Sequence, residues 1–102
     1  MSFVVIATWV ARPGEAEHVA EVLRALTPGN RAEPKMLSFH AHRSLTDRDT
    51  FVLVEHYSDP DGYDEHRATA AFREHVLRDL LPRLRDRQID TYELLRADGD
   101  GE

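Results

Sequence analysis

The sequence predicts one α+β domain in which helices cover one side of a four-stranded antiparallel sheet. Its 102 residues are the length of a single domain. Its apolar residues switch between a period of two and a period of 3.6, in the order strand, helix, strand, strand, helix, strand. It also contains no cysteine, which excludes disulfides, zinc–thiolate sites and thiol nucleophiles.

The first half of the chain predicts one strand and one helix. Residues 3–10 are rich in β-branched and aromatic side chains and precede a Pro-Gly turn, so they predict the first strand. A helix over residues 15–26 follows, because apolar residues recur there at helical spacing. These residues are Ala16, Val19, Val22, Leu23 and Leu26. The sequence TPGN at residues 27–30 is expected to end this helix.

The second half predicts a hairpin, a broken helix and a last strand. Residues 36–43 and 51–57 predict antiparallel strands that flank a polar turn. Asp59 is a suitable helix cap, and Pro60 suits the first helical position. The stretch ATAAF divides this helical region, and Pro82 is expected to kink it. The apolar stripe of its second part consists of Phe72, Val76, Leu77, Leu80 and Leu81. Residues 89–95 predict the last strand, so that the domain spans residues 1–96 and a flexible acidic tail spans 97–102.

This order of elements is the split βαβ, or ferredoxin-like, arrangement. Its two helices can cover only one face of the sheet. Strand one is apolar on both faces, however, with Val5 and Trp9 on one side and Val4 and Ile6 on the other. The uncovered face therefore predicts a homodimer in which a second copy packs against it.

Charge excludes two classes of partner. The formal net charge is −6 and the pI is about 5.4, so neither nucleic acid nor an anionic membrane is an expected partner. No apolar run approaches the ~20 residues of a membrane span. The first ten residues lack the features of a signal peptide, so we expect a cytoplasmic protein.

Histidines supply the first candidate site residues. His40 and His42 share one face of the second strand, and Tyr63 and His66 share one face of a helix. With Glu55 and His66 nearby, His40 and His42 have the ligand types of a non-haem iron or zinc centre. The same histidines could also line a catalytic site or simply be polar residues in contact with solvent.

The segment from residue 32 to 72 resembles the antibiotic biosynthesis monooxygenase family. Glu33-Pro34-Lys35 enters strand two, Glu55-His56-Tyr57 ends strand three, and residues 66–72 read His-x-x-Thr-x-x-Phe. Tyr92 then stands in the last strand. The resemblance implies a dimeric α+β barrel with a pocket between sheet and helices in each subunit.

Members of that family differ in chemistry. Some oxidise anthrones or quinols with O₂ and no cofactor, others isomerise or break down small carbonyl compounds, and one branch degrades haem. The residues of the haem branch do not match, because Ala7 stands where that branch has asparagine. The anthrone-oxidising branch is matched by His42, Tyr57 and Tyr63, although Leu53 replaces its asparagine. Lys35 also replaces the usual glycine.

The resemblance thus implies a monooxygenase for an anthrone-type polyketide or a quinol, with O₂ as the second substrate and no cofactor or metal. Such an enzyme needs a general base, a hydrogen-bond donor and a dry apolar cavity. We expect His66 or His42 to be the base and Tyr63 to orient the substrate. Expected substrate contacts are Trp9, His40, Glu55, Tyr57 and Phe72.

Each of these residues also has a structural explanation. His66 and the strand histidines could be solvated, and Trp9 and Phe72 could be core. Glu55 could form a structural salt bridge. Phe39 has the opposite parity to the strand histidines and is expected in the dimer core. At the level of function, one alternative is a non-oxidative small-ligand binder or an isomerase of a carbonyl metabolite, and another is a purely structural dimerisation module.

Overall fold

A computed structural model of the chain describes residues 2–97. The elements in chain order are β1 (Phe3–Ala11), α1 (Ala16–Arg31), β2 (Met36–Arg43), β3 (Thr50–Tyr57), α2 (Pro60–Arg67), α3 (Phe72–Leu80) and β4 (Leu84–Tyr92). The backbone of α3 is π-helical, and one 3₁₀ turn, Leu81–Arg83, joins it to β4. Apart from Ala97, the predicted acidic tail lies outside the described residues.

The four strands form one antiparallel sheet in the order β2-β3-β1-β4. This order and the helix positions confirm the predicted ferredoxin-like α+β fold. Within residues 2–97, no helix is both long and apolar enough to cross a membrane.

The predicted end of the first helix was wrong. The helix continues through Pro28 and ends at Arg31. Proline removes only the hydrogen bond to the carbonyl four residues earlier, and that residue, Arg24, is exposed to water. The hydroxyl of Thr27 also donates to the carbonyl of Leu23 at 2.8 Å, which satisfies an acceptor in the same turn.

The predicted bounds of the last strand were also wrong. β4 begins at Leu84 rather than at residue 89, and it ends at Tyr92. Its first half is charged and exposed because β4 is an edge strand with little cover. Such a segment has no apolar alternation from which a strand could be recognised.

The sheet has one covered and one open face. On the covered face, beneath the helices, lie the side chains of Val5, Ala7, Trp9, Phe39, Phe51, Leu53, Glu55 and Tyr57, each at most 5% exposed. The open face carries their alternating neighbours, which include Val4, Ile6, Val10, Val52 and Val54. The expectation that Phe39 belongs to a dimer core was therefore wrong. A bulge at Leu37 changes which face of the sheet the following residues of β2 point to, and it turns Phe39 toward the helices.

The start of α2 is built as its sequence predicts. The carboxylate of Asp59 accepts the backbone N–H of Gly62 at 3.2 Å, and Pro60 occupies the first turn. Gly62 presses against the ring of Tyr57, since a Cβ at position 62 would lie 2.9 Å from Tyr57 Cδ1. This close approach seats α2 directly on the end of β3.

Candidate functional site

The centre of the candidate site is His66, in the last turn of α2. Its side chain is buried, with the whole residue 5% exposed. Its Nδ1 lies 2.9 and 3.0 Å from the two carboxylate oxygens of Glu33, in the connection between α1 and β2. An imidazole that donates from Nδ1 to a carboxylate is held in one orientation and leaves Nε2 free to accept a proton.

Aromatic rings surround this imidazole. Phe72 meets the ring of His66 edge-on with centroids 5.3 Å apart, and the ring of Tyr57 lies at 6.1 Å. Tyr63 packs 5.7 Å from Tyr57, and Phe3 packs 6.1 Å from Tyr63. These rings exclude water and lower the local dielectric, which strengthens every polar contact among them.

A second polar pair lies on the sheet below His66. Glu55 is 5% exposed, and its Oε1 accepts a 2.5 Å hydrogen bond from the hydroxyl of Tyr57. Burial raises the pKa of Glu55, although the Tyr57 hydrogen bond and the nearby His66 act in the opposite direction. Burial and the Glu55 charge raise the pKa of Tyr57, so this phenol remains a neutral donor.

Tyr63 and Trp9 also lie on the helix side of the sheet. Tyr63 is half-buried; burial raises its pKa, and the guanidinium of Arg67, 4.2 Å above the ring, opposes that shift. Trp9 is 4% exposed and stands nearer the hairpin end, opposite Phe51. Among residues 2–97, no acceptor lies within hydrogen-bond distance of its indole N–H.

The strand histidines lie elsewhere. His40 and His42 pair with Val54 and Val52 on the open face, on the opposite side of the sheet from His66. Their ring centroids are 6.4 Å apart, and Nδ1 of His42 lies 3.1 Å from the carbonyl oxygen of Val52. In the part of the chain that the structure describes, no three His, Cys, Asp or Glu side chains are grouped so as to hold a metal ion.

The structure thus unites one part of the predicted set and separates another. His66, Tyr63, Tyr57, Phe72 and Glu55 form one cluster, and His40 and His42 do not belong to it. Strand parity alone predicted that His40 and His42 share a face; it did not predict which face the helices cover.

Sequence reasoning missed two members of the cluster. Glu33 stood in the motif Glu33-Pro34-Lys35 but received no role, although the motif's position after α1 was a usable signal. Phe3 was treated only as a strand residue. Its contact with Tyr63 depends on the docking of α2, which no local pattern encodes.

The family model for antibiotic biosynthesis monooxygenase matches residues 2–78. The chain belongs to this family. The match contains β1 through most of α3 and therefore the whole cluster around His66. No curated protein matches the chain with significance.

Solved structures with the same fold agree with this assignment. The protein PA3566 from Pseudomonas aeruginosa is 30% identical, with a TM-score of 0.86 over 93% of this chain and 95% of that chain. Rv0793 from Mycobacterium tuberculosis is 25% identical, with a TM-score of 0.82 over 96% and 99%. A crystal structure named antibiotic biosynthesis monooxygenase is 24% identical, with a TM-score of 0.84 over 92% and 99%, and it shows the fold alone.

Proposed function

We propose that this protein is a cofactor-independent monooxygenase that oxidises a phenolic aromatic compound, an anthrone-type polyketide or a quinol, with O₂. The observation that carries the proposal is the buried His66, held through Nδ1 by Glu33 among aromatic rings. Membership of the monooxygenase family supports the reaction class. The proposed substrate has an electron-rich ring that can itself reduce O₂ once it is deprotonated, so the substrate takes the place of a redox cofactor.

In the proposed reaction Nε2 of His66 removes a proton from the substrate. The resulting anion gives one electron to O₂, and the radical and superoxide combine to form a carbon–oxygen bond. The His66 imidazolium returns its proton to the peroxide anion, and loss of water from the resulting hydroperoxide leaves a carbonyl group, so one oxygen atom enters the product and the other leaves in water. The imidazolium formed on His66 is stabilised by the Glu33 carboxylate at 2.9 Å.

The remaining cluster residues take supporting roles in this proposal. Tyr63 orients the substrate, and the phenol oxygen of Tyr57 accepts from a substrate hydroxyl while its own hydroxyl donates to Glu55. Phe72 is a hydrophobic wall, and its ring is half-buried. Trp9 receives no role at this centre because it lies opposite Phe51, at the hairpin end of the sheet. His40 and His42 receive no role at this centre because they occupy the other face of the sheet.

We further propose that the working form is a homodimer in the cytoplasm. The half-exposed valines and isoleucine of the open face are the support for dimerisation, since a sheet of this kind is stable when both faces are covered. This face lies behind the His66 cluster and does not block it.

Oxygen uptake tests the proposed reaction. Protein dialysed against EDTA is mixed with 1,8-dihydroxyanthrone or with menadiol, and O₂ is followed with an electrode. We expect turnover, and His66→Gln should reduce kcat/KM by about 10²–10⁴-fold because the general base is lost. His56→Gln is the control, since that imidazole lies on the open face and should leave turnover near the wild-type level.

Wild-type protein that consumes no O₂ above the autoxidation rate of the substrate would reject the oxygenase. A His66→Gln variant as active as the wild type would reject His66 as the base. Ligand-induced thermal stabilisation without O₂ uptake would instead favour the alternative function, a non-oxidative binder or carbonyl isomerase of the same family.

A further inference from the structure

A surface groove runs between α1 and the chain segment that joins α2 to α3. Two cavities form its outer part, one of about 310 Å³ and one of about 290 Å³, and Ala25, Leu26 and His75 line both. A third cavity of about 170 Å³ continues from the second, because Glu33 and Thr69 line both of these. The three cavities therefore adjoin one another and together line one groove, from α1 to the start of β2.

The lining of the groove changes from apolar to polar along its length. Its outer floor is apolar and includes Val22, Ala25 and Leu26, with His18 and His75 at the rim. Its inner end is polar, where the Glu33 carboxylate and the Thr69 side chain stand. A groove of this kind suits an elongated molecule that is largely apolar and carries a hydroxyl group at one end.

The inner end of the groove is joined to the His66 cluster by hydrogen bonds. Glu33 holds Nδ1 of His66 at 2.9 Å. The Thr69 hydroxyl donates to the carbonyl of His66 at 2.9 Å, and its oxygen accepts the backbone N–H of Phe72 at 3.1 Å. A ligand that reaches Glu33 and Thr69 is thus one residue away from both His66 and the ring that covers it.

We propose that this groove, between α1 and the segment that leads from α2 into α3, is the site through which a hydroxylated aromatic ligand binds and reaches the His66 cluster. In this first-bound position the fused or substituted ring system lies along Val22, Ala25 and Leu26, and a ligand hydroxyl donates to the carboxylate of Glu33, on the Nδ1 side of His66. The ligand then passes from this position to Nε2 for the proposed reaction. The inference rests on the proposed function for the identity of the ligand class. It goes beyond that function in assigning the entrance and the residues that select an elongated shape.

The experiment measures binding of 2-hydroxyanthraquinone, whose hydroxyl lies at one end of the ring system and whose central ring is already fully oxidised. Ala25→Trp fills the groove at an exposed helix position, so the variant should fold normally, as circular dichroism would check. The matched control is Arg24→Trp, also exposed, which lines a different cavity of about 220 Å³ between α1 and β2. Affinity is read from fluorescence titration.

We expect Ala25→Trp to weaken binding at least about tenfold and Arg24→Trp to leave it within about twofold of the wild type. Equal affinities for all three proteins would overturn the assignment of the groove. So would weaker binding in Arg24→Trp, or no binding to wild-type protein at millimolar ligand.

Failure of this inference can be told apart from failure of the oxygenase. Binding that Ala25→Trp abolishes, without any O₂ uptake by the wild type, retains the groove and rejects the oxidation. Oxygen uptake with the same KM in Ala25→Trp and wild type retains the oxidation and rejects the groove.

Discussion

The two faces of the sheet are made from the same strands but differ in burial and in side-chain composition. Along β3, Leu53 and Glu55 face the helices and are 3% and 5% exposed, whereas Val52 and Val54 face away and are half-exposed. The covered face combines apolar side chains with a few polar groups that have partners. The open face has an apolar centre, with His40 and His42 at one edge and acidic side chains at the other.

This difference shows where chemistry can take place. On the covered face a carboxylate is desolvated and then hydrogen-bonded, as Glu55 is to Tyr57, so its protonation responds strongly to its surroundings. On the open face His40 and His42 are exposed to solvent in the single chain. The covered face is therefore the one on which we propose the reaction, and the open face is suited to association with another protein surface.

The largest effect should follow from a charge placed at the centre of the open face. Val54→Arg is expected to convert a dimer into an 11.7 kDa monomer, because an unpaired buried charge costs about 3–5 kcal/mol. Sedimentation equilibrium measures the mass. Leu45→Arg adds the same charge in a loop at a residue that is 89% exposed, and it should leave the mass unchanged. A wild-type protein that is monomeric at micromolar concentration would contradict the comparison.

The neighbouring residue on the covered face should affect folding instead. Leu53→Ala is expected to lower the free energy of unfolding by about 2–5 kcal/mol, since it leaves a cavity beneath the helices. Urea denaturation at fixed protein concentration measures this value, with Leu45→Ala as the exposed control. A loss below about 1 kcal/mol would mean that the helices close over the gap and that the covered face is less tightly packed than it is in this structure.

Most of the fold could be predicted because it is encoded in local patterns. The strands β1 and β3 are rich in β-branched and aromatic residues and are bounded by turn residues, and the Asp59-Pro60 start of α2 carries its own capping signal. The errors fell where tertiary contacts override local preference. α1 continues through Pro28 because its exposed side tolerates one lost hydrogen bond. β4 begins among charged residues because pairing with β1 holds it.

The candidate site was less predictable than the fold. Spacing alone placed Tyr63 and His66 on one face of a helix, and the structure brings them to the same cluster. The partnership between His66 and Glu33 spans 33 residues in sequence, so no local pattern could show it. His42 lies on the opposite face of the sheet from His66, and the sequence could not show this because alternation fixes which residues share a face but not which face the helices cover.

The smallest expected effect concerns the buried carboxylate of the covered face. The folded-state pKa of Glu55 is raised above its usual value of 4.5, chiefly by burial. Below the unfolded pKa the side chain is protonated in both the folded and the unfolded state, so its ionisation does not change the free energy of unfolding. As the pH rises through the folded pKa, the buried carboxyl ionises and the free energy of unfolding falls. Glu55→Gln should therefore raise the free energy of unfolding relative to the wild type at pH 8, and the difference should shrink toward pH 4. Urea titrations at the two pH values measure it, and a difference that instead grows on acidification would show that the charged carboxylate is stabilised where it lies.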